Sequence, residues 1–373
     1  MEPHESMENK RNRSSEQFEA DVTFFQIYEH LKSELAGKSL DEAISELVGR
    51  IDPQLLFHKS LKTVSYSIGT MNRIIDEGAA ERMVKISEAL QVHGIDMLGD
   101  AIAARPDVKA VLIAGPSSSG KTTFSKKLSL ALERNGLQPR CISFDDYYVD
   151  RVRTPLDEDG EYDYESIYAV DIDLFQEHFA RLLRGEEIEL PRYDFVKGQS
   201  VKSGNRLRLE PHTTLIMEGI HALNPILTGT IPPETLFRIY ISGLTVAKQH
   251  DGTYLPTTDN RLVRRMVRDA QFRGTSAQAT LARWASVRRG EDKWIVPFQS
   301  NADVNFCTAF QYELALLKTK ALPLLEEVPE GSAEYAEAQR LKWVLHRFHD
   351  IPIDLLPPHS LLREFLGGSA FEY

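Results

Sequence analysis

The spacing of apolar side chains changes character twice along the chain. Residues 1–19, which begin "MEPHESMENKRNRSSEQ", hold almost no aliphatic side chains and are expected to form a disordered tail. From Asp21 to about Arg105 apolar residues recur at helical spacing, Met83, Ile86 and Leu90 among them, which predicts a helical region over 20–107. At 110–114 the pattern becomes a short unbroken run, "AVLIA", bounded by glycine, and reads as a buried parallel strand. Beyond it Phe124, Leu128, Ala131 and Leu132 share one helix face, and Asn135-Gly136 supplies the stop.

Further strands are expected at 141–144, 214–217 and 236–241, separated by helical stretches such as 171–185, which Asp171 is placed to cap. Two closing helices follow at 311–328 and 333–348, the first broken or kinked at Pro323. Strands alternating with helices imply an α/β fold, a parallel sheet with helices on both faces. In such a sheet ligands bind outside the carboxyl ends of the strands.

The first expected strand is joined to the next helix by "GPSSSGKTT", residues 115–123. Gly115, Gly120, Lys121 and Thr122 complete the spacing Gly-x-x-x-x-Gly-Lys-[Ser/Thr], and the flanks are a strand and a helix start, as a phosphate-binding loop requires. The fold class is therefore the P-loop NTPase type. Backbone amides of Ser117, Ser118, Ser119 and Gly120 would cradle the phosphates of ATP, with Thr123 in the first helical turn. Lys121 would neutralise the β- and γ-oxygens, and the Thr122 hydroxyl would reach Mg²⁺.

The guanine-reading pattern Asn-Lys-x-Asp is absent, so the other strand ends must say what becomes of the phosphate. "SFDDYY" places Asp145 and Asp146 after the second strand, and "LIMEG" ends its run on Glu218. Phosphoryl transfer to an alcohol asks for two such carboxylates, one to orient or deprotonate the hydroxyl and one to hold Mg²⁺. If the strand continues, Asp145 and Asp146 point in different directions and only one faces the phosphate.

Arg261, Arg264, Arg265 and Arg268 cluster on one face of an expected helix, opposite Leu262, Val263, Met266 and Val267. That helix packs on one side and presents cations on the other, suited to covering a transferring phosphoryl group.

Composition narrows the partners. A net charge of −11 argues against nucleic acid as a bulk partner, so phosphate binding must be local. No apolar run approaches the length of a membrane span, and the first residues lack the hydrophobic stretch of a secretory signal, so a cytoplasmic protein is expected. Cys141 and Cys307 stand far apart in no metal-ligand spacing and read as buried thiols of a reducing compartment.

Together "GPSSSGKTT", "SFDDYY", "EYDYES", "PRYDF", "MEGI" and "RLVRRMVRD" resemble the uridine kinase and phosphoribulokinase family of P-loop kinases, over about 108–310. Further stretches, "SVRRGEDKWIVPFQ" and "LREFLGGSAF", resemble a bacterial-type subgroup of uridine or nucleoside kinases. Longer members of that subgroup carry an N-terminal domain similar to part of threonyl-tRNA synthetase, of which only the connecting helical part is expected here.

The resemblance implies a kinase domain at 108–310 with an arginine-rich lid at about 259–290, closed by a helical segment at 311–373. It makes Asp145 the acceptor-activating base and Glu218 the Mg²⁺ partner. Asp163 and Tyr193 would hold sugar hydroxyls, with Phe195 near the acceptor ring and Tyr148 and His221 beside the pocket. Arg265, Arg268 and Arg273 would belong to the lid.

In one place the pattern departs. A base-reading histidine is expected three residues after "YDF", where this chain has Gly198. The reaction implied is ATP-dependent transfer to a hydroxyl, that of a ribonucleoside 5′-carbon first and of a sugar phosphate or other polyol second. An ATP-dependent binding or regulatory protein is the alternative of another class. The partner is then a small-molecule acceptor, with no nucleic acid and no membrane, and nothing in the sequence speaks against a homo-oligomer.

Overall fold

The computed structural model describes residues 64–194 and 196–372, together with Ser39, Glu42, Ser45 and Glu46. The tail expected at 1–19, most of the helical region before Val64, and Phe195 lie outside the described residues.

The chain enters through strand β1 (Val64–Ser67), helices α1 (Ile68–Asp76) and α2 (Ala80–Ala103), and strand β2 (Ala110–Ala114). Helix α3 (Lys121–Arg134) and strand β3 (Gln138–Ser143) follow, then α4 (Ile172–Leu183), the strands β4 (Ile188–Asp194) and β5 (Gln199–Leu207), and β6 (Thr213–Glu218). After the short α5 (Pro225–Thr228) come β7 (Leu236–Ser242), β8 (Thr245–Lys248), α6 (Asp259–Arg273), α7 (Ala277–Trp294) and β9 (Val304–Cys307). Helices α8 (Glu313–Glu326), α9 (Tyr335–Leu345) and α10 (Arg363–Leu366) close the chain.

Five strands form one parallel sheet in the order β3-β6-β2-β7-β9. Alternate residues of its strands serve two cores, as the strand period demands. Val111, Ile113, Ile239 and Ile241 pack with α2, α3, α6, α8 and α9 on one face; Leu112, Leu215, Met217 and Tyr240 pack with Phe175, Phe179 and Leu182 of α4 on the other. The fold is thus the expected α/β arrangement with helices on both faces. Asp171 caps α4 as anticipated, its Oδ1 accepting from the Leu174 amide at 3.1 Å. No helix among the described residues is long and apolar enough to cross a membrane.

Four local expectations are corrected. Val64–Ser67, inside the stretch read as helical, is a strand paired in parallel with β8. Helix α8 runs through Pro323 without a break; the proline falls near its carboxyl end. Cys141 is exposed and Cys307 only half-buried, because β3 is an edge strand whose burial does not extend to Cys141. Arg261 and Arg264, read as part of a cationic outer face, are fully buried.

Candidate functional site

Sheet order sets the site. Register pairs Ser143 of β3 with Glu218 of β6, and Glu218 with Ile113 of β2. The carboxyl ends of three adjacent strands therefore lie in one row. From it leave the phosphate loop, the turn bearing Asp145, and Glu218 itself.

The loop is held from outside. Arg261 Nε donates to the Ser117 carbonyl at 3.1 Å, Arg264 Nη1 to that of Ser118 at 3.4 Å, and Thr308 Oγ1 to that of Ser119 at 2.5 Å. The C=O and N–H of a planar trans peptide point in opposite directions, so these contacts turn the Ser118 and Gly120 amides to the inner side, whereas the Ser119 amide, expected among the cradling groups, donates to the Pro116 carbonyl at 3.2 Å. Ser118 and Gly120 both have positive φ, 60° and 84°, which curves the backbone into an anion-binding concavity. Glycine is required at 115 for a steric reason: a Cβ there would stand 2.3 Å from the Ile241 carbonyl oxygen. Behind the loop the two buried arginines are paired, Arg261 with Glu291 and Arg264 with Glu313. These carboxylates sit in α7 and α8 and explain why a cationic helix face can be buried.

A cleft of about 870 Å³ opens in front of the loop. That is at the upper end for small-molecule sites and large enough for two ligands. Three walls enclose it: the loop and α3 with Ser117, Ser118, Gly120, Lys121 and Thr122; α6 and α7 with Arg265, Arg268, Arg273 and Arg283; and the turn after β3 with the β4–β5 hairpin, contributing Asp145, Tyr148, Arg151, Tyr193 and Val196.

Lys121 Nζ donates to the Pro116 carbonyl at 3.3 Å. Its burial pulls the ammonium pKa down, while Glu218, Asp145 and Glu364 hold it up. Glu218 Oε1 accepts from Thr122 Oγ1 at 3.2 Å and from Ser143 Oγ at 3.3 Å. Burial, with neighbouring Asp145 and Glu364, pushes this carboxyl up to about 7 against the pull of Lys121. Such a destabilised carboxylate beside a hydroxyl is a fitting place for a hard divalent cation. Among the described residues no three His, Cys, Asp or Glu side chains converge on a metal position. The donor set suits Mg²⁺, which is held by one or two carboxylates and the phosphates of a substrate rather than by a protein cage.

The two aspartates diverge, though not by strand alternation: β3 ends at Ser143, and both sit in a 3-10 turn, Phe144–Tyr147. Asp145 faces the cleft, its amide tied to Ser143 Oγ at 3.2 Å, whereas Asp146 Oδ1 accepts from the Tyr193 amide at 3.4 Å and anchors the hairpin. Tyr148 and Tyr193 meet edge to face at 5.6 Å in the same wall. Asp163 does not line the cleft; its Oδ1 accepts from the Glu165 amide at 3.1 Å, and it is Glu165 that enters, 3.8 Å from Arg265. His221 is buried and also stands off the cleft wall, its imidazole pKa pulled down to about 4 by burial. Ser119 and Thr123 are buried beneath the loop rather than lining the cleft.

Arg265 Nη1 donates to Ser117 Oγ at 3.1 Å and so joins α6 to the loop. Buried Asp269 gathers three arginines, Arg265 at 3.5 Å, Arg268 at 2.7 Å and Arg273 at 3.6 Å. Burial pulls the Arg265 pKa below the usual guanidinium value, whereas the Arg273 side chain is half exposed.

Asp269 stood in the quoted "RLVRRMVRD" and Glu165 in "EYDYES", but spacing alone does not say that they face the arginines. Glu364 was invisible for another reason, since it reaches the loop from 241 residues away: its Oε2 accepts from Thr123 Oγ1 at 2.6 Å and the Thr123 amide at 3.2 Å.

Residues 110–227 match the model of the phosphoribulokinase / uridine kinase family. Over 194 residues the chain is 31% identical to a uridine kinase of Staphylococcus aureus, covering 52% of this chain and 84% of that one. It is 28% identical over 196 residues to a uridine kinase of Halobacterium salinarum, covering 52% and 78%. A solved structure described as a possible uridine kinase from Bacillus stearothermophilus is 20% identical and superposes with a TM-score of 0.40 over 57% of this chain and 96% of that one. With its loop, strand-end carboxylates and matched segment in one continuous region, the chain belongs to the phosphoribulokinase / uridine kinase family.

Proposed function

We propose that the protein transfers the γ-phosphoryl group of ATP to a hydroxyl of a small-molecule acceptor, with Mg²⁺ held at Thr122 and Glu218. The observation that carries this reading is the convergence of Lys121, Asp145 and the arginines of α6 on one cleft at the carboxyl ends of β2, β3 and β6. Mg²⁺ would supply charge neutralisation between the phosphates.

The protein's own groups do the rest. Amides of the loop and Lys121 Nζ bind the phosphates. Asp145 orients the acceptor hydroxyl and takes its proton. Arg265, Arg268 and Arg273 meet the charge that develops on the transferring group, and closure of 259–290 keeps water from competing with the acceptor. Tyr148 and Tyr193 form the acceptor wall. Asp163 and His221, which do not line the cleft, are given no contact with the acceptor. The uridine kinase relatives support a ribonucleoside 5′-hydroxyl as the first acceptor to test; Gly198 favours a sugar phosphate or other polyol as the second.

Mass spectrometry of MgATP reactions with pooled nucleosides, sugars, sugar phosphates and polyols tests the reading, with Lys121→Ala and Asp145→Asn as controls. A phosphorylated product is expected from the wild type and neither variant, with ATP binding kept in Asp145→Asn. Full transfer by Asp145→Asn would remove the base assignment. ATP binding without acceptor-stimulated ADP formation would favour an ATP-dependent binding protein.

A further inference from the structure

The amino end of α3 is capped from the far end of the chain. The first four N–H groups of a helix have no partner inside it, and here the N-cap is Gly120, which has no side chain to offer one. Glu364 of α10 takes that role: its Oε2 accepts from the Thr123 amide at 3.2 Å and from Thr123 Oγ1 at 2.6 Å. Thr123 is fully buried, and Glu364, which touches it, borders the cleft beside Gly120, Lys121 and Thr122. Turning this carboxylate aside would therefore open Thr123 to the cleft. Its charge also reaches the groups around it, holding up the Lys121 pKa and pushing up that of Glu218.

The segment that carries Glu364 is fixed, while its side chain is not. Leu361, Leu362, Phe365 and Leu366 are buried in the core shared with α3 and α6. Leu361 packs so closely on the loop that a Cβ at Gly120 would stand 2.5 Å from it. Ser360 Oγ donates to Glu88 of α2, which also accepts from the Tyr312 hydroxyl at 2.9 Å, and the Arg264 guanidinium lies 5.1 Å from the Phe365 ring. Both α2 and α10 lie outside residues 110–227, the part matched by the family model. The backbone of α10 thus stays in place, whereas the Glu364 side chain, half-buried at the cleft, can turn about its own torsions.

In a phosphate-binding loop, the backbone amides of the loop and of the helix start cradle the α- and β-phosphates. A donor given to a carboxylate is not free for a phosphate oxygen, and two anions at one helix end repel each other. We propose that Glu364 is a resident competitor of the nucleotide: its carboxylate holds the Thr123 donors that the α-phosphate takes, and nucleotide binds by turning it aside. This rests on the kinase reading above and adds to it a residue that sets nucleotide affinity. ATP and ADP both carry an α-phosphate, so the carboxylate lowers affinity for substrate and product alike and favours release of ADP. Between turnovers it satisfies buried donors that would otherwise lack a partner.

Equilibrium binding of MgADP to the full-length protein tests the proposal without any acceptor. Glu364→Asp keeps the charge but is shorter by one methylene, about 1.5 Å, which takes both contacts out of hydrogen-bond range. Glu364→Gln keeps the reach and loses the charge, and Glu364→Ala loses both. MgADP should bind about fivefold more tightly to Glu364→Ala and about threefold more tightly to Glu364→Asp, with thermal melts showing each variant folded. Tighter binding by Glu364→Gln and Glu364→Ala, with Glu364→Asp at wild-type affinity, would overturn the proposal and leave only a charge effect across the cleft. Binding that is unchanged or weaker in Glu364→Ala and Glu364→Asp would overturn it too, showing that the carboxylate only caps α3. Either result leaves the kinase reading standing, whereas a wild type that binds no nucleotide would remove both.

Discussion

The buried pair Arg261–Glu291 separates stability from nucleotide binding. Both side chains are essentially inaccessible, Arg261 at 1% and Glu291 at 0% exposure, and Arg261 carries its second contact, Nε to the Ser117 carbonyl at 3.1 Å. Glu291→Gln strands a buried guanidinium and should cost about 3–5 kcal/mol of unfolding free energy. Replacing both, as Arg261→Met with Glu291→Leu, removes the two charges together and should return stability to within about 1–2 kcal/mol of the wild type. The loop contact is not returned. A hydrogen bond from a charged donor contributes about 1.5–3 kcal/mol, so if it holds the Ser117 peptide in its phosphate-facing orientation the double variant should bind ATP about tenfold or more weakly. Urea titration and fluorescent-nucleotide binding read the two effects separately. A double variant with restored stability and wild-type ATP affinity would show that Arg261 props the helix and does not shape the loop.

Three other perturbations follow from the same geometry. Glu364→Gln removes a negative charge beside Lys121 and the first turn of α3; ATP affinity should rise several-fold while stability falls by about 0.3–1 kcal/mol, and weaker ATP binding would contradict the charge account. His221 has a folded pKa of about 4 against an ordinary 6.5, so the unfolded chain binds the extra proton between those values and stability is lost as pH falls through that window. About 2 kcal/mol of this should be lost from about pH 7 to about pH 5, and His221→Gln should lose less; equal slopes in urea titrations would place the pH dependence elsewhere. Gly198→Ala should cost about 1–2 kcal/mol through positive φ and collision with Arg151, and adding Arg151→Ala should recover the collision part; no recovery would assign the whole cost to the backbone.

What could be seen in the sequence was what local spacing encodes. Strand β2, the loop and the start of α3 are contiguous, and each carries its own signal in apolar run, glycine spacing or helix face. The arginine wheel of α6 was half-informative. It identified one polar face, but a wheel cannot distinguish solvent from a polar layer supplied by another element, and Glu291 and Glu313 lie 30 and 49 residues beyond their partners. Strand β1 has only four residues and finds β8 across 181 positions, Val64 to Thr245, with no local cue. In the hairpin, β5 is exposed along nearly its whole length, so apolar alternation, the ordinary sign of a strand, is missing. The departure at Gly198 was legible as a missing side chain; that Arg151 fills the space required the fold.

The acidic residues around the cleft have a physical reason in common. A buried arginine cannot stand without a partner, because the desolvation of its charge exceeds what a folded domain can spare. A site that must present several guanidinium groups to a phosphate chain therefore needs resident carboxylates while that chain is absent. Asp269 holds Arg265, Arg268 and Arg273, and Glu165 lies beside Arg265. Under the proposed function, phosphate oxygens would take these donors, one set of charge-assisted hydrogen bonds replacing another, so that Arg265 and Arg268 need neither be dragged from water nor reorganised as the reaction proceeds. Removing Asp269 should then do more than free three cations for substrate. It should disperse them, and the arginines proposed to meet the transferring phosphoryl group would no longer be held in front of the loop.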